Sequence, residues 1–125
     1  KKLDKFQQAR EKIADYYFDK LKDVKSVILP ARLENIKHSW HLFAIRVKDA
    51  SKRRIVFDHL QANGIGVQVH YIPVHWQPYY QKLGYKMGAY PNAETYYNSA
   101  ISLPVYPTLT RKDQDFVIDK LIEAC

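Results

Sequence analysis

The sequence predicts a single α/β domain, and three observations carry that prediction. Segments with three-and-four apolar spacing alternate with short runs suited to strands. A length of 125 residues with 46% hydrophobic content is the size of one ordinary globular domain and suffices for a buried core. The run Trp40 to Val47 carries apolar residues on both faces, which places a strand in the interior of a sheet.

Taken in order, Leu3, Phe6, Ala9, Ile13, Tyr16, Tyr17 and Leu21 recur at helical spacing and predict an amphipathic helix. No Ser, Thr, Asp or Asn precedes it, so this helix is expected to continue from chain before Lys1. Ser26 to Pro30 reads as a short extended piece. After the Trp40–Val47 strand, Asp49 or Ser51 is placed to cap a helix whose buried stripe is Ile55, Val56 and Leu60, and Asn63-Gly64 supplies its left-handed stop. Gly64 to Tyr71 alternates as a strand: Ile65, Val67, Val69 and Tyr71 share one face, and Gly66, Gln68 and His70 the other. Pro78 opens a one- to two-turn helix ending at Gly84, and Asn92 is positioned to cap another through Ala100. Ile101 to Val105 predicts a strand. Thr110 and Asp113 have capping-box spacing for a last helix with the stripe Phe116, Val117, Leu121 and Ile122.

Composition narrows the function. A formal net charge of +7 raises nucleic-acid binding, but the cations are scattered and only Lys52-Arg53-Arg54 forms a compact run. That run opens a helix with Asp58 just beyond, so it reads as a solvated face, and no nucleic-acid partner is expected. The longest apolar runs, such as Leu42 to Ile45, fall far short of a bilayer span, and the Lys-rich start does not resemble a signal peptide. The lone cysteine, Cys125, leaves no disulfide framework and fits a cytoplasmic setting.

Metal, nucleophile and phosphate-loop chemistry all lack a pattern. His38 and His41 are three apart, an odd separation that points them to opposite faces of a strand, and no acid or thiol lies near His70 and His75 in sequence. No Ser or Cys sits in a nucleophile elbow, and the four glycines form no phosphate-cradling loop. What remains is the concentration of Gln68, His70, Tyr71, His75, Trp76, Tyr79 and Tyr80. Aromatic rings that carry a hydrogen-bonding atom suit a sugar or nucleotide ligand. Tyr79 and Tyr80, on a short helix, are expected to pack as core under the loop, whereas His70, opposite the apolar strand face, is expected to meet a ligand.

The run GIGVQVHYIPVHWQPYYQKLGY, with ISLPVYPTLT downstream, SWHLFAIRV upstream and the opening KKLDKFQQAREKIADYY, resembles the C-terminal domain of DegT/DnrJ/EryC1/StrS sugar aminotransferases over essentially all 125 residues. Within that family, VQVHYIPVH is most similar to the pseudaminic acid branch, whose members aminate a UDP-linked 4-keto-6-deoxy-N-acetylhexosamine. The resemblance implies the small domain of the aspartate-aminotransferase fold, with a short, mostly antiparallel sheet and flanking helices. It implies that residues 1–125 are one small domain lacking the large pyridoxal-phosphate-binding domain, and no lysine here sits in a Schiff-base context. The intact enzyme would be a homodimer that passes an amino group from glutamate through pyridoxal 5'-phosphate to a sugar nucleotide; the small domain alone is expected to be inactive. Carried onto this sequence, the family's HYxPxH segment falls on His70, Tyr71, Ile72, Pro73 and His75 as substrate contacts, with Gln68 on the same strand face. No catalytic acid or base and no metal ligand is assigned in the chain. A stand-alone carbohydrate- or sugar-nucleotide-binding module without catalysis remains the alternative.

Overall fold

The computed structural model describes residues 2–125 and contains five α-helices and a three-stranded sheet. Helix α1 spans Leu3–Leu21, β1 Val27–Ile28, β2 Phe43–Val47, α2 Arg53–Ala62, α3 Pro78–Lys82, α4 Pro91–Ser99, β3 Ala100–Leu103 and α5 Arg111–Ala124. The sheet order is β1-β2-β3, antiparallel throughout, so β2 is the central strand that its sequence predicts. This α/β arrangement of a small antiparallel sheet with flanking helices is the predicted fold class.

Register fixes what each face of the sheet carries. Phe43 stands opposite Leu103, Ala44 opposite Ser102, Ile45 opposite Ile101 and Arg46 opposite Ala100. Directly opposed residues share a face, so Phe43, Ile45, Ile101 and Leu103 point into the core while Ala44, Arg46, Ala100 and Ser102 share the reverse face. The core joins that inner face to Ile13, Tyr17 and Leu21 of α1, Val56 and Leu60 of α2, and Val117, Ile118 and Leu121 of α5. Tyr17, Phe18, Trp40 and Phe43 form an aromatic cluster with ring centroids 5.0–5.6 Å apart in tilted and edge-on arrangements. Buried Gln114 donates from Nε2 to the Ile13 carbonyl at 3.0 Å and ties α5 to α1.

Local chemistry explains the boundaries. Asp49 accepts from the Ser51 backbone N–H at 3.0 Å and starts the 3-10 turn Ala50–Lys52 that leads into α2. Gly64 follows α2 at φ +74°, a left-handed conformation that favours glycine. At α5 both capping-box bonds form: the Asp113 N–H donates to Thr110 Oγ1, and the Thr110 N–H donates to the Asp113 carboxylate. Pro78 opens α3, which ends before Gly84 at φ +95°.

Several sequence expectations need correction. The predicted Trp40–Val47 strand begins only at Phe43, because Trp40 turns back at φ +46° with its indole buried. His38 stabilises this turn: its ring stacks on the indole at 3.9 Å, and its Nδ1 accepts the Trp40 N–H at 2.8 Å. Gly64–Tyr71 does not form a strand; a single antiparallel bridge joins Gln68 to Ser102 at the free edge of β3. Ile55, Leu3, Phe6, Phe116 and Ile122, expected in buried stripes, face outward, and Ile118 and Gln114 take the inner positions on α5. Tyr90, not Asn92, occupies the cap of α4, with Pro91 in its first turn.

Candidate functional site

The reverse face of the sheet builds the site. Ser102 N–H donates to the Gln68 carbonyl at 2.8 Å, and Gln68 N–H reaches the Ser102 carbonyl at 3.4 Å. Opposed across this bridge, Gln68 and Ser102 lie on the same face as Ala44, which gives a row of small and polar side chains outside the core. Ile65 and Val67 point the other way and are buried. The alternation read from the sequence therefore sorts Ile65, Val67 and Gln68 correctly but fails at Tyr71, expected on the apolar face and 70% exposed, because the chain leaves the sheet after a single bridge.

His70 extends the row. Its Nδ1 bonds to Ser102 Oγ at 2.8 Å, and Ser102 is itself buried. The bond occupies Nδ1 and leaves Nε2 as the ring atom for an incoming group. The His70–Tyr71 peptide is cis, the Tyr71 ring meets the His70 ring edge-on at 4.6 Å, and Tyr71 is 70% exposed. Ile72 is also exposed, whereas Pro73 is buried beneath the turn.

His75 differs from its neighbours. It is only 6% exposed, and its Nε2 lies 2.7 Å from Oε1 of Glu94 in α4. The same oxygen accepts the backbone N–H of Gly88 at 2.7 Å and that of Tyr90 at 3.5 Å. The bond from His75, followed by those from Gly88 and Tyr90, holds the Glu94 carboxyl below its ordinary value and keeps it ionised. The Trp76 indole N–H is buried close by, outside hydrogen-bond geometry, and its ring packs edge-on against Tyr97 at 5.4 Å. Around the His75 ring, Val74, Tyr80, Tyr85, Tyr90 and Ala93 line a mostly apolar depression of about 380 Å³.

The structure thus brings Gln68 and His70 together through Ser102, with Tyr71 and Ile72 exposed at the end of that row. It separates His75, which faces α4. Tyr79 and Tyr80 are not the expected core: both are exposed, Tyr79 by 67%. Two residues that sequence reasoning missed organise the rest. Ser102 had one signal, a hydroxyl in an otherwise apolar strand; Glu94 had none beyond a buried histidine that needed a partner.

The other candidates resolve into structural roles. Arg54 pairs with Asp58 at 2.7 Å, Arg53 Nε donates to the Asn98 carbonyl at 3.4 Å, and Lys52 Nζ donates to the Cys125 carbonyl at 3.1 Å. Each cation of the basic run therefore meets a partner within the chain. Among the described residues no cluster of three His, Cys, Asp or Glu is arranged for a metal, and no helix is long and apolar enough to cross a membrane.

Comparison with known proteins places this geometry. The spore coat polysaccharide biosynthesis protein SpsC of Bacillus subtilis is 37% identical over 95% of this chain, which spans 32% of SpsC. The putative sugar aminotransferase Spr1654 of Streptococcus pneumoniae, in its apo form, superposes with a TM-score of 0.92 at 26% identity, covering 98% of this chain and 31% of that one. Its pyridoxal-phosphate form matches as well, with a TM-score of 0.89. Helicobacter pylori PseC, an aminotransferase of pseudaminic acid biosynthesis, superposes with a TM-score of 0.87 at 26% identity, covering 95% of this chain and 32% of that one. The sequence profile of the DegT/DnrJ/EryC1/StrS aminotransferase family matches residues 1–122, and the chain belongs to that family.

Proposed function

We propose that these residues are the small domain of a longer pyridoxal-phosphate-dependent aminotransferase that moves an amino group from glutamate to a nucleotide-linked keto sugar. The observation that carries this reading is the polar row Gln68–Ser102–His70 on the outer sheet face of a chain that spans about a third of SpsC. When bound, pyridoxal phosphate supplies the electron sink that lets an amino group leave one carbon and join another. Among the described residues no lysine is buried, so the lysine that carries the cofactor belongs in this proposal to chain outside them.

The domain's own share is to bind and orient. His70, with Nδ1 fixed by Ser102, presents Nε2 to a sugar hydroxyl or phosphate oxygen. Tyr71 and Ile72 offer exposed aromatic and apolar surface, Gln68 adds an amide on the same face, and Pro73 shapes the turn. Contacts made far from the reacting carbon place the keto group for reaction. No proton-transfer step is assigned to this chain.

The finer reading takes a UDP-linked 4-keto-6-deoxy-N-acetylhexosamine of pseudaminic acid biosynthesis as substrate, in a homodimeric cytoplasmic enzyme. The wording VQVHYIPVH and the likeness to PseC support it. The test is a pair of single-turnover assays on the full-length protein: glutamate first, then UDP- and dTDP-linked 4-keto-6-deoxy sugars. Amination of the UDP sugar alone is the expected result. Amination of the dTDP sugar alone would remove the pseudaminic assignment, and turnover with neither would overturn the keto-sugar reading.

A further inference from the structure

We infer that Glu94 and His75 form a positioning pair that clamps the end of the His70–Pro73 turn to α4, touching no substrate themselves. The inference rests on the proposal that His70, Tyr71 and Ile72 face the sugar nucleotide.

Three features converge on one carboxylate oxygen. Glu94 Oε1 takes the His75 Nε2 bond, the Gly88 N–H and the Tyr90 N–H. An ionised carboxylate only accepts, so His75 must carry its proton on Nε2, which fixes the ring's orientation and its donor side. Both side chains are mostly withdrawn from solvent, at 7% and 15% exposure, so water competes poorly for these bonds. The Tyr90 N–H is the cap position of α4, a helix with no other side-chain cap, and Glu94 folds back onto it from the first turn. One side chain therefore caps α4, closes the 86–90 turn and anchors the loop two residues beyond Pro73.

The anchor is itself braced. Trp76 packs on Tyr97 of α4, Arg53 of α2 lies 5.9 Å over the Tyr97 ring, and Arg53 also holds the Asn98 carbonyl. The His75 ring meets Tyr90 at 4.8 Å. Pro73 thus lies between two fixed points, Ser102 beneath His70 and Glu94 beneath His75. Cutting the second point releases one end of the turn while the first still holds. Misplacement of a binding segment by about 1 Å costs up to about 100-fold in a reaction that depends on orientation.

The experiment uses the full-length protein with Glu94→Ala and Glu94→Gln. Glutamine keeps an oxygen that accepts the same N–H groups, so it should restore most of what alanine loses. In Glu94→Ala the kcat/KM for the sugar nucleotide should fall about 10- to 100-fold, with the glutamate half-reaction within about twofold of wild type. Amide hydrogen exchange should quicken at residues 71–76 and 86–90, and stay unchanged on β2. Unchanged sugar kinetics, or equal loss in both half-reactions, would overturn the pair's positioning role. If the wild-type protein aminates no keto sugar, the functional reading fails separately, and exchange still decides the clamp: no local increase in Glu94→Ala refutes it. Should Glu94→Ala fail to fold, His75→Asn removes the Nε2 donor alone while Glu94 keeps the Gly88 and Tyr90 bonds, and wild-type exchange at residues 71–76 with wild-type sugar kinetics in that variant would refute the clamp.

Discussion

Replacing Ser102 with Ala removes one hydroxyl and tests how His70 is held. Ser102 is buried, and its Oγ is the bonding partner found for the His70 ring, 2.8 Å from Nδ1. Alanine keeps the Cβ and deletes a single oxygen, a space smaller than one water molecule. The loss is therefore one hydrogen bond without a cavity, about 0.5–1.5 kcal/mol. His70 is only half-buried, so water can rehydrate Nδ1 and stability should fall toward the lower figure. If the bond fixes the ring for substrate, the same energy appears as a loss of roughly 2- to 13-fold in kcat/KM for the sugar nucleotide. Urea unfolding and single-turnover kinetics of the full-length Ser102→Ala protein measure the two quantities separately. Equal loss for glutamate and sugar, or none for either, would refute the assignment of His70 to the sugar.

Two further outcomes follow from burial and charge. Leu60→Ala, at a fully buried position, should cost about 2–5 kcal/mol in chemical denaturation, while Ile55→Ala, 63% exposed on the same helix, should stay within about 0.5 kcal/mol. The Glu94 carboxyl is held below its ordinary 4.5, foremost by the His75 bond, so its contribution to stability is present above that value and is lost as pH falls through the lower folded value. Acid titration followed by hydrogen exchange at residues 86–90 should show that loss in the wild type and not in Glu94→Gln.

Elements set by local chemistry were legible in the sequence. Thr110 and Asp113 announced α5 through a three-residue spacing, and Pro78 with Gly84 bracketed α3, because capping and backbone freedom act within one turn. Helical spacing finds each apolar stripe but not its covered edge, so Ile55 and Phe116 read as inward although they stand 63% and 45% exposed. Trp40 read as strand because β-propensity cannot register a turn made by a stacked His38 ring. The face bearing Gln68 and His70 emerged from alternation alone. Their supports did not, since Ser102 is 32 residues from His70 and Glu94 is 19 from His75, and such pairings arise only when the chain folds back.

Service of this domain in a pyridoxal-phosphate enzyme can be read from the visible spectrum of the full-length protein before and after borohydride, with peptide mapping of the fixed cofactor. The full-length protein should be yellow and bleach with borohydride, with the label on a lysine outside residues 2–125. A colourless protein, or a label on one of the surface lysines within this domain, would contradict that role.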